Sequence, residues 1–161
     1  MLKILVIMLL SFYSIMNAQA YGEANYKLLT KDGNIETRLY KKAYLAKYTS
    51  AGNRESAANK AFMPLFNYIK EGGIPMTIPV TQEEVRPNEW DLSFFMPSEK
   101  SIEYLPKPKD SKVKITELKA REVIVYKFTG SMNDGNFEKY NLKLIDYIKK
   151  NNISPSAIGI R

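Results

Sequence analysis

The 161-residue chain contains no histidine and no cysteine, and this settles most of what its chemistry can be. A Ser-His-Asp or Cys-His nucleophile, the usual zinc sites, and haem held by His or Cys all need a side chain this protein does not have. Neither glycine-rich phosphate loop, G-x-G-x-x-G or G-x-x-x-x-G-K-[ST], occurs. The acids closest together, Glu83 and Glu84, are neighbours on a strand-like run, where successive side chains face opposite sides, so they make a poor acid–base pair. Glu99 and Glu103 flank Lys100 in turn-rich sequence and read as solvated. An enzyme would have to work from carboxylates, lysine and tyrosine alone, and no catalytic or metal-ligating set stands out. The large apolar side chains are better candidates for a function: Met63, Phe66, Tyr68, Met76, Trp90, Phe94, Phe95, Met96, Tyr140 and Tyr147. Most are needed for the core of one domain. A subset could line a cleft between helix and sheet, with basic residues at its mouth for carboxylates.

The elements that would hold such a cleft emerge from pattern. Residues 1–20 form a leader: Lys3 supplies a positive start, Ile4 to Ile15 is mostly apolar, and Ala18-Gln19-Ala20 is a small-x-small cleavage site. That order is a secretory signal peptide, so the expectation is an exported protein, periplasmic or extracellular and bacterial in style, with one domain over 21–161. The whole chain carries 24 basic and 17 acidic side chains, net +7; removing Lys3 leaves 23 against 17, or +6. The cations are scattered, with the densest group at Lys107, Lys109, Lys112 and Lys114. Such a surface suits carboxylate-bearing ligands or anionic lipid; export argues against nucleic acid.

Asp32-Gly33 between the alternating runs 26–30 and 35–40 predicts a hairpin. Further strands are expected over Ala43–Ser50, Met76–Val85, Trp90–Met96, Val113–Leu118 and Glu122–Gly130. Helical spacing marks Asn53–Lys70, with Ala57, Ala61, Leu65 and Ile69 four apart, and Asn133–Lys150, with Phe137, Leu144 and Ile148 on one stripe. The two helices belong to a repeat. LAKYTSAGN and LFNYIKEGGI are echoed about eighty positions later by VYKFTGSMN and LIDYIKKNNI, and the Gly72-Gly73 stop is matched by Asn151-Asn152. The expected fold is α+β, built from duplicated βαββ units that form a distorted antiparallel sheet or open barrel with two helices. The second unit has only a short tail after its helix, so a further C-terminal hairpin is expected beyond this chain.

AFMPLFNYI, IPMTIPV, SFFMPSE followed by LPKPKD, and VIVYKFTG, in that order, resemble the SOUL haem-binding protein family from about Tyr26 to Arg161. Met76-Thr77-Ile78-Pro79-Val80 matches its Met-Thr-x-Pro-Val signature. The resemblance implies a non-enzymatic protein that binds haem or another tetrapyrrole in an apolar cleft beside the first helix, with basic residues near the propionates. Carried onto this chain, the candidates are Lys60, Met63 and Phe66, with Arg54 near the helix start; Met76 stands between core packing and ligand contact. Haem would have to bind without a His ligand. An alternative is a binding module for another amphiphile, a lipid or drug-like cation, which would want a carboxylate in the cleft. A third is an enzyme using Glu83 or Glu84, for which no partner group is in view.

Overall fold

The computed structural model describes residues 22–98 and 101–154. The leader expected over residues 1–20 lies outside them. A two-residue strand β1 (Gly22–Glu23) precedes β2 (Tyr26–Asp32) and β3 (Ile35–Tyr40). Gly33 turns the hairpin at φ +55°, a left-handed conformation that glycine adopts at no steric cost. β4 (Ala43–Ala51) leads into α1 (Arg54–Glu71), then β5 (Thr77–Ile78), β6 (Val80–Arg86) and β7 (Glu89–Phe95). A single 3-10 turn, Ile102–Tyr104, precedes β8 (Lys114–Leu118), β9 (Arg121–Tyr126) and α2 (Asp134–Lys150). Two antiparallel sheets result, ordered β6-β7-β4-β8 and β2-β3-β9, while β1 and β5 form a short parallel pair. The fold is α+β with open sheets, as the patterning predicts.

The strand expected over Met76–Val85 is interrupted at Pro79, which separates β5 from β6; the Ile78–Pro79 bond is cis. Proline cannot donate to a ladder, and the break falls where it would have had to. The long run after Glu122 ends as a strand at Tyr126 rather than Gly130, since β3, its pairing partner, has run out by Ile35.

The repeat is visible in the helix ends. Asn53 and Asn133 are N-caps whose side chains accept from Ser56 N and Asn136 N, each at 2.9 Å. At the other ends, Gly73 (φ +58°) and Asn152 (φ +51°) take the left-handed conformation. Ile74 N donates to Ile69 O at 2.8 Å and Ile153 N to Ile148 O at 3.0 Å, which closes the same Schellman motif twice.

α1 covers the four-stranded sheet. Ala61, Leu65, Tyr68 and Ile69 pack against Ala46, Leu92, Phe94 and Val113 in one buried cluster, with Leu65 and Phe94 among its largest fully enclosed side chains. α2 lies against β9, where Tyr140 stacks on Tyr126 (5.3 Å) and Phe128 (4.3 Å). The three-stranded sheet carries a buried ion pair. Glu36 and Arg38, two apart on β3, share a face; Arg38 donates twice to Glu36 Oε2, at 2.9 and 2.6 Å, and once to the Tyr40 hydroxyl. Its guanidinium lies 4.2 Å from the Tyr26 ring centroid. Phe95 reaches across from the other sheet to Tyr40, ring to ring at 6.5 Å.

The Arg38 hydrogen bonds hold the Glu36 carboxyl below its ordinary value of 4.5, against the opposing effect of burial. A carboxylate with a lowered folded pKa contributes stability that is present above 4.5 and lost as pH falls through the folded value. Glu36→Gln is therefore expected to lower the melting temperature at neutral pH and to flatten its decline as pH falls below 4.5. Melting curves from neutral pH down into acid check this; an unchanged acid slope would show that Glu36 does not set the acid limit of stability.

Candidate functional site

On α1, the stripe opposite the core runs through Lys60, Met63, Pro64, Asn67 and Glu71, spaced three and four apart. Its C-terminal half forms one wall of a groove of about 500 Å³, within the usual range for ligand pockets, roughly 300–1,000 Å³. The other wall is the segment 106–110, Pro-Lys-Pro-Lys-Asp, a loop with φ fixed at two prolines. Met63 forms the apolar lip, 53% exposed. Lys107 and Lys109 bring two ammonium groups to the far wall, and Glu71 and Asp110 add two carboxylates. Glu71 already holds Lys109 at 3.0 Å, an exposed pair that a ligand carboxylate can compete with at little cost.

Two contacts seat the loop on the helix. The Tyr68 hydroxyl donates to Pro106 O at 3.0 Å. The Tyr68 phenol is an O–H donor at neutral pH in any case, and burial pushes its pKa up from the ordinary 10, away from phenolate. Gly72 allows the close approach: a Cβ there would lie 2.7 Å from Pro106 Cγ. Its φ of −80° suits any residue, so the demand for glycine at this position comes from the neighbouring proline and not from the backbone.

A second, shallower hollow of about 490 Å³ lies at the start of α1, lined by Asn53, Glu55, Ser56, Asn59 and Lys60. Pro64 lacks the N–H that the Lys60 carbonyl would accept in an uninterrupted helix. The Lys60 ammonium donates to Ala51 O at 3.0 Å.

The residues that sequence points to are thus dispersed. Met63 is on the groove, and Lys60 is on the shallow hollow. Phe66 is half-buried, stacked on Phe62 at 6.1 Å and packed against the core cluster. Met76 is also half-buried against that cluster. Arg54 is 7% exposed and bonded to Asp134, Gln82 and Met132. Glu83 stands in register with Asp91 on β7, and Glu84 accepts from Asn88 N at 3.2 Å. Asp91 is itself bound by Lys47 at 2.7 Å and Thr49 at 2.6 Å. Gly72, Lys107 and Lys109 join the site only once the structure is known, and Tyr68, one of many core-or-cleft candidates in the sequence, is then placed on the groove. Lys107 and Lys109 carry a signal in the sequence, as part of the densest basic group. What Tyr68 and Gly72 do for the loop has no signal in the sequence, because it depends on where Pro106 lands.

A family model described as SOUL heme-binding protein matches residues 21–159. The chain belongs to the SOUL haem-binding protein family. No curated protein gives a match. As a SOUL chain it is placed among binding proteins, and the groove can be tested against a tetrapyrrole on its own donors. The apolar lip and paired ammonium groups fit a flat ring bearing carboxylates. For an iron centre, the groove offers the Met63 thioether and a protonated Tyr68; among the described residues no three of His, Cys, Asp and Glu come together to hold a metal. The fit is to the macrocycle and its carboxylates.

Gly72→Ala is expected to push the 106–110 loop off the helix and cost about 1–3 kcal/mol, the usual penalty for overpacking. Urea unfolding of the variant measures it; a change below about 0.5 kcal/mol would show that the loop is not seated on Gly72.

Proposed function

We propose that this protein is a non-enzymatic, exported carrier or buffer of haem or another tetrapyrrole, held in the groove between α1 and the 106–110 loop. The observation that carries the reading is the pairing, in a SOUL-family chain, of an exposed Met63 lip with Lys107 and Lys109 across one groove of ligand size. The ring would lie against Met63 and Pro64, and the carboxylates would meet Lys107 and Lys109 as charge-assisted hydrogen bonds. Retention then comes from apolar contact and paired charge, and a central iron contributes little. Export rests on the leader sequence at 1–20. Among the described residues no helix is long and apolar enough to cross a membrane.

Glu71 and Asp110, on the same groove, favour one second reading, an amphiphilic cation in place of the tetrapyrrole.

Absorbance titration of the protein without its leader decides between them. Haemin and iron-free protoporphyrin are both expected to bind below about 10 μM, equivalent to ~7 kcal/mol. Lys107→Gln and Lys109→Gln should each weaken the free acids by about two- to fivefold, as exposed pairs do, and leave the porphyrin dimethyl ester unchanged. Failure of both porphyrins at that concentration sinks the tetrapyrrole reading. Binding of a cationic amphiphile that is lost in Glu71→Gln would establish the second.

A further inference from the structure

The resemblance brings Arg54 to the ligand's carboxylates, yet its side chain is otherwise engaged. Arg54 is the first residue of α1 and is buried. Nε donates to Asp134 Oδ1 at 2.7 Å, Nη1 to Gln82 Oε1 at 2.8 Å, and Nη2 to Met132 O at 2.8 Å. The guanidinium also lies 5.0 Å from the Phe137 ring centroid. Each nitrogen has an acceptor within the chain. Asp134 is the first residue of α2, and it stands eighty positions on, where the repeat aligns it with Arg54. The two helix starts are therefore joined by a fork of charge-assisted bonds at the junction of the repeats, with β6 held in through Gln82.

This junction matters for the groove because the other contacts of the first half of α1 lie at the surface: the Asn53 cap, the Lys60 bond to Ala51 O at 3.0 Å, and a part-exposed Phe62 edge-on to Phe94 at 5.6 Å. Its inward residues there, Ala57 and Ala61, are small. Alanines let the helix sit close to the sheet but interlock with little, so they fix its position along the sheet weakly. The large side chains that are buried, Leu65, Tyr68 and Ile69, all lie in the second half. From the geometry we infer that Arg54 is a positioning residue: through Asp134 and Gln82 it fixes the start of α1, and so the stripe carrying Lys60 and Met63, and it does not meet a ligand carboxylate. This rests on the tetrapyrrole reading for its consequence in binding. Ligand affinity at α1 then depends on Asp134, a residue of the other repeat.

The test compares the protein with Arg54→Lys, Asp134→Asn and the double variant. Each is titrated with protoporphyrin and with its dimethyl ester, and amide hydrogen exchange is measured over residues 57–63. Each single variant is expected to weaken both porphyrins by the same factor, roughly three- to tenfold, with the double variant no worse than the poorer single one. The acid-to-ester ratio stays constant, and exchange over 57–63 quickens in all three. Selective loss of the free acid in Arg54→Lys, with Asp134→Asn unchanged in both ligands and in exchange, would overturn the inference and return Arg54 to the carboxylates. If the parent protein binds neither porphyrin, the ligand reading fails, and exchange over 57–63 still decides the positioning role. Gln82→Leu, which removes one acceptor, repeats the comparison should Arg54→Lys not fold.

Discussion

The packing of α1 on the four-stranded sheet is the constraint on which the rest of the molecule depends. Leu65 and Phe94 are enclosed, and Ala46, Ala61, Ile69 and Leu92 close around them, so the helix has one rotation about its axis in which this stripe is dry. An 18-residue helix committed on one side has its other side decided as well. Lys60, Met63, Asn67 and Glu71 must then point outward. Burial of this apolar area, worth about 25 cal/mol per Å², thus stabilises the domain and also presents the candidate binding wall. The opposite wall depends on the same helix, because Tyr68 and Gly72 seat the proline-rich loop at its C-terminal end.

Charged groups take part in the interior. Glu36, Arg38, Arg54 and Asp91 are all buried, and each has hydrogen-bonded or ionic partners. No side-chain polar atom among the described residues is buried without one. Buried pairs of this kind add little net stability over apolar replacements, yet removing one partner leaves an uncompensated charge that is strongly destabilising. Their geometric demands are strict, and that makes them suited to fixing how elements meet. Arg38 pairs with Glu36 on its own strand and lies against the Tyr26 ring of β2, and Arg54 joins the two repeats.

Much of the fold is legible in the sequence because its signals are local. Asp32-Gly33 forces a turn, Asn53 and Asn133 cap helices, and the four-residue spacing of Ala57, Ala61, Leu65 and Ile69 marks the dry face. The repeat is legible for the same reason: Gly73 and Asn152 solve one backbone problem with the two residues that best tolerate it. The site is only partly legible. The family resemblance points to Met63, which the structure leaves exposed on the groove, but it also points to Arg54 as a ligand contact, until Asp134, eighty residues away, is seen beside it. Gly72 looks like a helix stop, and its second task depends on Pro106. Sequence leaves Met76 between core and ligand; in the structure it packs against the core cluster. Long-range placement decides such roles, and no window of sequence contains it.

Whether a tetrapyrrole binds in this groove can be read from backbone amide chemical shifts recorded while protoporphyrin is added to the isotope-labelled protein. Saturable shifts should concentrate on Met63, Asn67, Glu71 and the loop around Lys107 and Lys109, with α2 beyond its first turn unmoved. Shifts centred on α2 and β9, or none at the groove while porphyrin binds, would contradict the assignment of this groove.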